Sequence, residues 1–124
     1  MCLPATSILV FGIYLCLLGA ALIVAPNTFL GLLGLAPTTE VWVRVVGVLA
    51  GVVGAYYVQA ARYRVVPFFR MTIWGRLLVF VFFALFALLG LAPAALVIFG
   101  AIDALGAFWT ASALSRARRE ASAL

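Results

Sequence analysis

Three ionisable side chains lie inside long apolar stretches of the sequence: Arg44, Arg76 and Asp103. A charge in the core of a bilayer costs about 2.5–3.5 kcal/mol on insertion scales, so such residues are rare and usually serve a purpose. A guanidinium and a carboxylate at this depth could clasp two helices, or they could bind a headgroup, a proton or a small solute. These three residues are therefore the first candidates for a polar centre, whether ligand-binding or structural.

The depth of each charge follows from the helical rise of 1.5 Å per residue. Arg44 is expected roughly 5 Å below the outer edge of the bilayer, Asp103 roughly 14 Å below it, and Arg76 roughly 8 Å above the inner edge. Helical side chains lean toward the helix N-terminus, which brings Asp103 toward the level of Arg44. We expect an Arg44–Asp103 contact across the bundle centre, with Arg76 as a looser third member.

Three further polar side chains follow Arg44 on the same apolar stretch, near the expected depth of Arg76: Tyr56, Tyr57 and Gln59. They could line a polar pocket with that arginine and so belong to the same candidate centre. Alternatively they form part of an interfacial belt, where tyrosine side chains are common.

The composition excludes several kinds of chemistry. The chain contains no His and no Lys, and its only acidic residues are Glu40, Asp103 and Glu120. Haem or zinc ligation by imidazole, Schiff-base chemistry on lysine and a carboxylate-bridged metal pair are therefore not expected. No nucleophile has a visible base beside it, so we predict no catalytic residue, no metal and no cofactor, and an enzyme is not favoured.

The same composition identifies the elements that must hold these residues. Apolar residues make up 69% of the 124-residue chain, against about 45–50% in soluble domains. About 20 apolar residues suffice to cross a bilayer as a helix. Four stretches qualify, at about 6–25, 41–61, 71–91 and 94–114. We predict a single all-α transmembrane domain over 1–124: a four-helix bundle with up-down-up-down topology and a basic tail at 115–124.

The arginines outside these spans are distributed unevenly. The second loop and the tail hold all six of them: Arg62, Arg64, Arg70, Arg116, Arg118 and Arg119. The positive-inside rule therefore places this loop, the tail and both termini in the cytoplasm. Because the arginines are split between two short segments beside the membrane, the lipid bilayer is the expected partner and nucleic acid is not.

Two segments of the sequence recur. Leu-Leu-Gly-Leu-Ala-Pro occurs at 32–37 and again at 88–93, just before the second and the fourth span. Gly-Ala-Tyr-Tyr-Val-Gln-Ala-Ala at 54–61 also parallels Gly-Ala-Phe-Trp-Thr-Ala-Ser-Ala at 106–113. The pattern predicts a tandem repeat of two helical hairpins, although these residue types are common in membrane segments.

Small residues recur at helical spacing on three of the spans, and Gly12 and Gly19 share one face of the first. Gly47, Gly51 and Gly54 lie with Arg44 on one face of the second span, and Gly100 lies with Asp103 on the fourth. Glycine lets helix backbones approach closely, so we expect these faces to pack inside the bundle. Dimerisation or a ligand groove is the alternative. The third span is rich in phenylalanine, which could contact lipid, a partner or a flat apolar ligand such as a quinone.

Three segments resemble a known family: Arg-Val-Val-Gly at 44–47, Gly-Arg at 75–76 and Phe-Gly-Ala-Ile-Asp at 99–103. Here the chain is similar to small bacterial four-helix membrane proteins of the DoxX-like type. The resemblance covers most of the chain through its span layout and its scattered Gly and Arg residues. It implies a four-helix bundle in the bacterial inner membrane. Some relatives are subunits of quinone-linked oxidoreductases, and no catalytic residue carries over.

The sequence thus favours a non-enzymatic integral membrane protein, either an accessory subunit or a homo-oligomeric scaffold with a buried Arg/Asp centre. Its partners would be lipid and copies of itself or a larger membrane complex. A binder or carrier of a small lipophilic or anionic molecule is the first alternative. A subunit of a quinone- or lipid-linked membrane enzyme is the second.

Overall fold

The computed structural model describes residues 3–123, and over this range the protein is all-helical. The described part contains five helices: α1 (Leu3–Val24), α2 (Pro26–Leu32), α3 (Trp42–Arg62), α4 (Val66–Leu88) and α5 (Ala95–Ala123). All except α2 are long and apolar enough to cross a membrane. The expected helical bundle with four long apolar helices is confirmed. Met1, Cys2 and Leu124, at the ends of the predicted domain, lie outside the described residues.

The helix bounds differ from the predicted spans where the chain contains proline. The predicted first span, 6–25, stops just before Pro26, and this proline begins the additional short helix α2. Pro67 lies in the first turn of α4, which therefore starts before the predicted span 71–91. Proline is well tolerated at the first helical positions, because its missing N–H has no helical partner there. α5 also continues beyond the predicted span, through the basic tail.

The repeated hexapeptide ends a helix in the same way in both copies. Gly34 after α2 and Gly90 after α4 have φ angles of 75° and 74°. The next backbone N–H then reaches back five residues, from Leu35 to the Leu30 carbonyl and from Leu91 to the Phe86 carbonyl, each at 2.9 Å. This is the Schellman type of helix end, in which glycine adopts the left-handed conformation at little cost. The repeat therefore encodes a local turn.

The long helices form an open row in the order α3, α1, α5, α4. α1 packs along α3 and α5, and α4 packs along α5, whereas α3 and α4 share few contacts. The α1–α3 interface is held close by glycines: a Cβ added to Gly19 would lie 2.5 Å from the Gly47 carbonyl oxygen. One added to Gly54 would lie 2.8 Å from the Gly12 carbonyl oxygen. Close backbone approach of this kind is how membrane helices commonly associate.

The most tightly packed part of the bundle is its basic end, where α1 begins, α3 meets α4 and α5 enters its arginine-rich segment. A cluster of buried residues from α1, α3 and α4 fills this end: Ala5, Ile8, Phe11, Tyr57, Ala60, Ala61 and Phe69. The Tyr57 and Phe68 rings meet here edge to face at 5.3 Å and join α3 to α4. Towards the opposite end α3 and α4 diverge, and α2 packs against α1 and, through Phe29, against α5.

Candidate functional site

The most deeply buried charge among the described residues is Arg76, whose side chain is only 2% exposed. Its Nε donates a hydrogen bond to the Thr72 carbonyl oxygen one turn earlier on α4, at 3.2 Å. Its Nη2 donates to the Thr72 hydroxyl at 3.0 Å and to the Thr110 hydroxyl of α5 at 2.9 Å. The guanidinium thereby joins α4 to α5 inside the bundle.

The hydrogen bonds continue from Thr110 to α1. The hydroxyl oxygens of Thr110 and Ser7 are 2.7 Å apart, and the Ser7 hydroxyl donates to the Pro4 carbonyl at 2.7 Å. Since the Ser7 proton is committed to Pro4, Thr110 must donate to Ser7 while it accepts from Arg76. The series of hydrogen bonds therefore runs in one direction, with Arg76 donating to Thr110 and Thr110 donating to Ser7, and it connects three helices.

Aromatic rings supply the remaining stabilisation of this guanidinium. Its central carbon lies 4.9 Å from the Phe11 ring centroid and 5.9 Å from that of Tyr57. A cation at such a distance over an aromatic face is attracted by about 0.5–2 kcal/mol. Within residues 3–123 no carboxylate oxygen lies within 4.0 Å of an arginine nitrogen. Arg76 is thus buried among neutral oxygens and rings without an ion pair.

One nitrogen of Arg76 has no hydrogen-bond partner: Nη1 is fully buried and unpaired. It faces α5 at Gly106, where an added Cβ would come within 3.0 Å of this nitrogen. Asp103 lies one turn earlier on the same helix, half-buried. Of the two terminal nitrogens of Arg76, the unpaired Nη1 is therefore the one on the Asp103 side.

The structure does not bring Arg44 and Asp103 into the expected contact. Arg44 is exposed, and its Nη1 donates to the Ile23 carbonyl in the last turn of α1 at 2.8 Å. Carbonyls in the last turn of a helix lack intrahelical partners, and a cation there also interacts favourably with the helix dipole. Arg44 is therefore committed to the end of α1, and depth alone did not indicate this competing partner.

The structure also separates Tyr56 and Gln59 from Arg76, because both side chains are exposed on the outer side of α3. The neighbouring Tyr57 is the tyrosine that faces the guanidinium. Tyr57 follows Gly54 by three residues and so shares the face on which α3 approaches α1, whereas Tyr56 and Gln59 do not.

The predicted packing glycines occupy different environments. Gly47 and Gly54 lie against α1, and Gly100 lies against α4, where an added Cβ would be 3.2 Å from the Phe80 Cα. A Cβ added to Gly51 would meet nothing within 4 Å. The Gly51 backbone nevertheless lies close to α1, because a Cβ added to Gly19 would clash with it. The partners of the α3 glycines on α1 are Gly12 and Gly19, which share one face of that helix as their spacing predicts.

Asp103 lines a cavity of about 360 Å³ in the half of the bundle away from the basic end. Residues of all five helices and of the segment after α2 form its wall: Tyr14, Leu15, Leu18, Leu22, Phe29, Leu30, Leu33, Val43, Val46, Val79, Phe83, Leu96, Phe99 and Asp103. Asp103 is the charged residue among them, and the Tyr14 hydroxyl is the other polar group of a side chain. The cavity, which we call the lateral cavity, lies between the diverging α3 and α4.

The short helix α2 contributes to one side of the lateral cavity. Its Phe29 ring meets the Phe99 ring of α5 at 5.4 Å, and Leu30 is buried beside it. The segment after α2 is held to that helix because the Thr38 backbone N–H donates to the Asn27 side-chain oxygen at 2.9 Å. The predicted spans leave the residues between 25 and 41 without a helix, so the sequence does not indicate that α2 forms part of the cavity wall.

The described residues offer no set of metal ligands: within 3–123 no three His, Cys, Asp or Glu side chains come together. The arrangement instead consists of an apolar cavity with one carboxylate, that of Asp103. Beside it lies the buried guanidinium of Arg76, which is hydrogen-bonded to hydroxyl groups. Such an arrangement can bind and orient an apolar molecule through one polar group.

No family model, no curated protein and no solved structure matches the chain. The resemblance to DoxX-like proteins stays a prediction.

Proposed function

We propose that this protein is an integral membrane protein that binds a small lipophilic molecule in the lateral cavity. The observation that carries the proposal is the cavity itself, with apolar walls from every helix and one carboxylate, Asp103. Its volume of about 360 Å³ falls within the usual range of small-molecule sites. The divergence of α3 from α4 provides a route by which a molecule dissolved in the bilayer would enter.

The polar end of the ligand would be a hydrogen-bond donor, such as a hydroxyl or an ammonium group. Asp103 has no ion pair within the described residues, so its oxygens are free to accept from a ligand. An anionic ligand, which the sequence left open, fits this cavity poorly because Arg44 lies at the end of α1 and Arg76 does not line the wall.

We further propose that the four long helices cross the bilayer alternately, up-down-up-down, with both termini in the cytoplasm of a bacterial cell. The apolar length of the helices supports this placement, and so do the six arginines outside the predicted spans, which all belong to the second loop and the tail. The contacts agree with it, because Gly12 meets Gly54 while the later Gly19 meets the earlier Gly47. The tandem repeat stays a proposal supported by the two matching helix ends.

Native mass spectrometry of the protein in detergent tests the ligand-binding proposal. Decylamine, decanol and decanoic acid serve as probes, because they share a chain and differ in the end group. We expect retained decylamine and decanol and little decanoic acid. Val79→Trp should abolish retention because Val79 lines the cavity, whereas the control Leu78→Trp alters an exposed neighbour. Equal retention by both variants would contradict the proposal.

A second candidate is the accessory subunit or homo-oligomeric scaffold. The open face of α4 favours it: an added Cβ at Gly75 would meet nothing within 4 Å, and Trp74 beside it is 75% exposed. A second chain could approach closely there. The same spectra report the number of chains, and Gly75→Leu should lower that number if this face is an interface.

A further inference from the structure

Three arginines from different parts of the chain line one cavity at the basic end. Arg64 comes from the turn between α3 and α4, Arg70 from the second turn of α4, and Arg118 from the C-terminal part of α5. The cavity measures about 300 Å³. Apolar or small side chains form the rest of its wall: Pro4, Val66, Phe69, Leu114 and Ala117. We call this the arginine pocket.

The charges of the arginine pocket are not balanced within the described protein. No acidic residue lines it. The side chains of Arg64, Arg70 and Arg118 have no hydrogen-bond or ion-pair partner within residues 3–123. Three guanidinium groups around one cavity repel one another unless an anion lies between them. The planar guanidinium presents paired N–H donors that match the oxygens of phosphate as well as carboxylate groups, so a phosphate fits the pocket.

The backbone at Arg64 gives a second, independent observation. Its φ angle is 52°, and among the described residues it is the only residue other than glycine with a positive φ. This conformation costs an arginine about 1–2 kcal/mol that a glycine avoids. The comparable helix ends at Gly34 and Gly90 use glycine. The turn between α3 and α4 has arginine where those two turns have glycine. This arginine places a cation at the pocket in spite of the unfavourable conformational energy of its backbone.

The position of the pocket indicates the source of the phosphate. The pocket lies at the end of the long apolar helices where α1 begins and α5 enters its arginine-rich segment, which is where the headgroup layer would be. Basic pockets between membrane helices on the cytoplasmic side are typical sites for anionic headgroups. We propose that the arginine pocket binds the phosphate group of an anionic phospholipid. This inference depends on insertion in a membrane and is independent of any ligand in the lateral cavity.

The test measures retention of phosphatidylglycerol and phosphatidylcholine by the full chain, released from mixed nanodiscs into the native mass spectrometer. We expect selective retention of phosphatidylglycerol. Arg70→Gln and Arg118→Gln should each lower it about tenfold or more, as for a hydrogen bond to a charged group. The controls Arg116→Gln and Arg119→Gln remove the same charge from α5 but do not line the pocket. They should lower retention less than about fivefold, the effect of one surface charge.

Arg64→Gly separates binding from folding. It removes a guanidinium from the pocket but relieves the backbone cost, so reduced lipid retention in this variant could not be attributed to unfolding. An equal decrease in the pocket and control variants would overturn the proposal in favour of a diffuse basic surface. Retention of added inorganic phosphate without preference for phosphatidylglycerol would overturn the lipid assignment. Because decylamine reports on the lateral cavity separately, either proposal can fail while the other stands.

Discussion

The hydroxyl oxygen of Thr110 on α5 lies 2.9 Å from Nη2 of Arg76 on α4 and accepts its hydrogen bond. Both side chains are buried, at 0% and 2% exposure. The same hydroxyl reaches Ser7 on α1, so one threonine connects the buried cation to a third helix. The polar centre is therefore built from a guanidinium and neutral hydroxyls, and its stability should depend on threonine as much as on charge.

Thr110→Val should lower the free energy of unfolding by about 1–3 kcal/mol, because one buried N–H of the Arg76 guanidinium loses its acceptor and the Ser7 hydroxyl loses its donor. Unfolding by sodium dodecyl sulfate, followed by circular dichroism, measures the change. Ser112→Ala on the exposed side of the same helix is the matched control and should have little effect. A Thr110→Val variant as stable as this control would contradict the role assigned to the hydroxyl chain.

Replacement of the two arginines inside the predicted spans, Arg76 and Arg44, should affect the free energy of unfolding to very different degrees. Arg76→Gln removes a buried guanidinium with several hydrogen bonds and should cost about 2–3 kcal/mol of unfolding free energy. Arg44→Gln removes an exposed contact with the end of α1 and should cost at most about 1 kcal/mol. The same detergent titration compares them. The assignment would be wrong if Arg44 were the more costly of the two to replace.

The glycines on α3 should also respond differently to the same substitution. Gly47→Ala places a Cβ 2.8 Å from the Gly19 carbonyl oxygen, an overpacking that typically costs about 1–3 kcal/mol. Gly51→Ala meets nothing within 4 Å and should leave the unfolding free energy unchanged or slightly raised. Thermal unfolding in one detergent is sufficient to rank the variants. Equal destabilisation by both would argue against the α1–α3 interface described above.

Arg64→Gly should be tolerated or should stabilise the fold by up to about 1 kcal/mol, because glycine adopts positive φ without steric cost. Arg62→Gly is the control: Arg62 lies in the last turn of α3, where glycine costs about 0.5–1 kcal/mol. Melting temperatures in lipid-free detergent measure both effects without a contribution from anionic lipid. A marked loss of stability in Arg64→Gly would indicate that the arginine serves the fold.

Asp103→Asn should leave the fold intact, because the carboxylate has no ion pair within residues 3–123. Retention of decylamine should decrease about tenfold or more, since a hydrogen bond to a charged acceptor is lost. Retention of decanol should change less. The exposed Glu40 provides the matched control Glu40→Gln, with the same loss of charge. If this control lowered retention equally, Asp103 would not be the polar end of the cavity.

The sequence was a reliable guide to features that depend on neighbours along the chain. Hydropathy identified four long helices, and the two copies of the hexapeptide end helices in the same way, at Gly34 and Gly90. It was a poor guide to side-chain partners. Depth along a helix suggested Arg44 for Asp103, but depth says nothing about helix rotation or lateral neighbours. A carbonyl at the end of α1 was the closer partner of Arg44.

Local hydropathy and backbone hydrogen bonding specify the helical class and the approximate positions of the four long helices, and the segments that hold six of the arginines can be read from the sequence. Packing between helices, in contrast, makes Arg76 the buried arginine and lets Thr110 and Ser7 extend its hydrogen bonds. The same packing makes Asp103 line an apolar cavity. The reason is geometric: close contacts at glycines set which helix faces meet, and those faces bring together residues far apart in the chain.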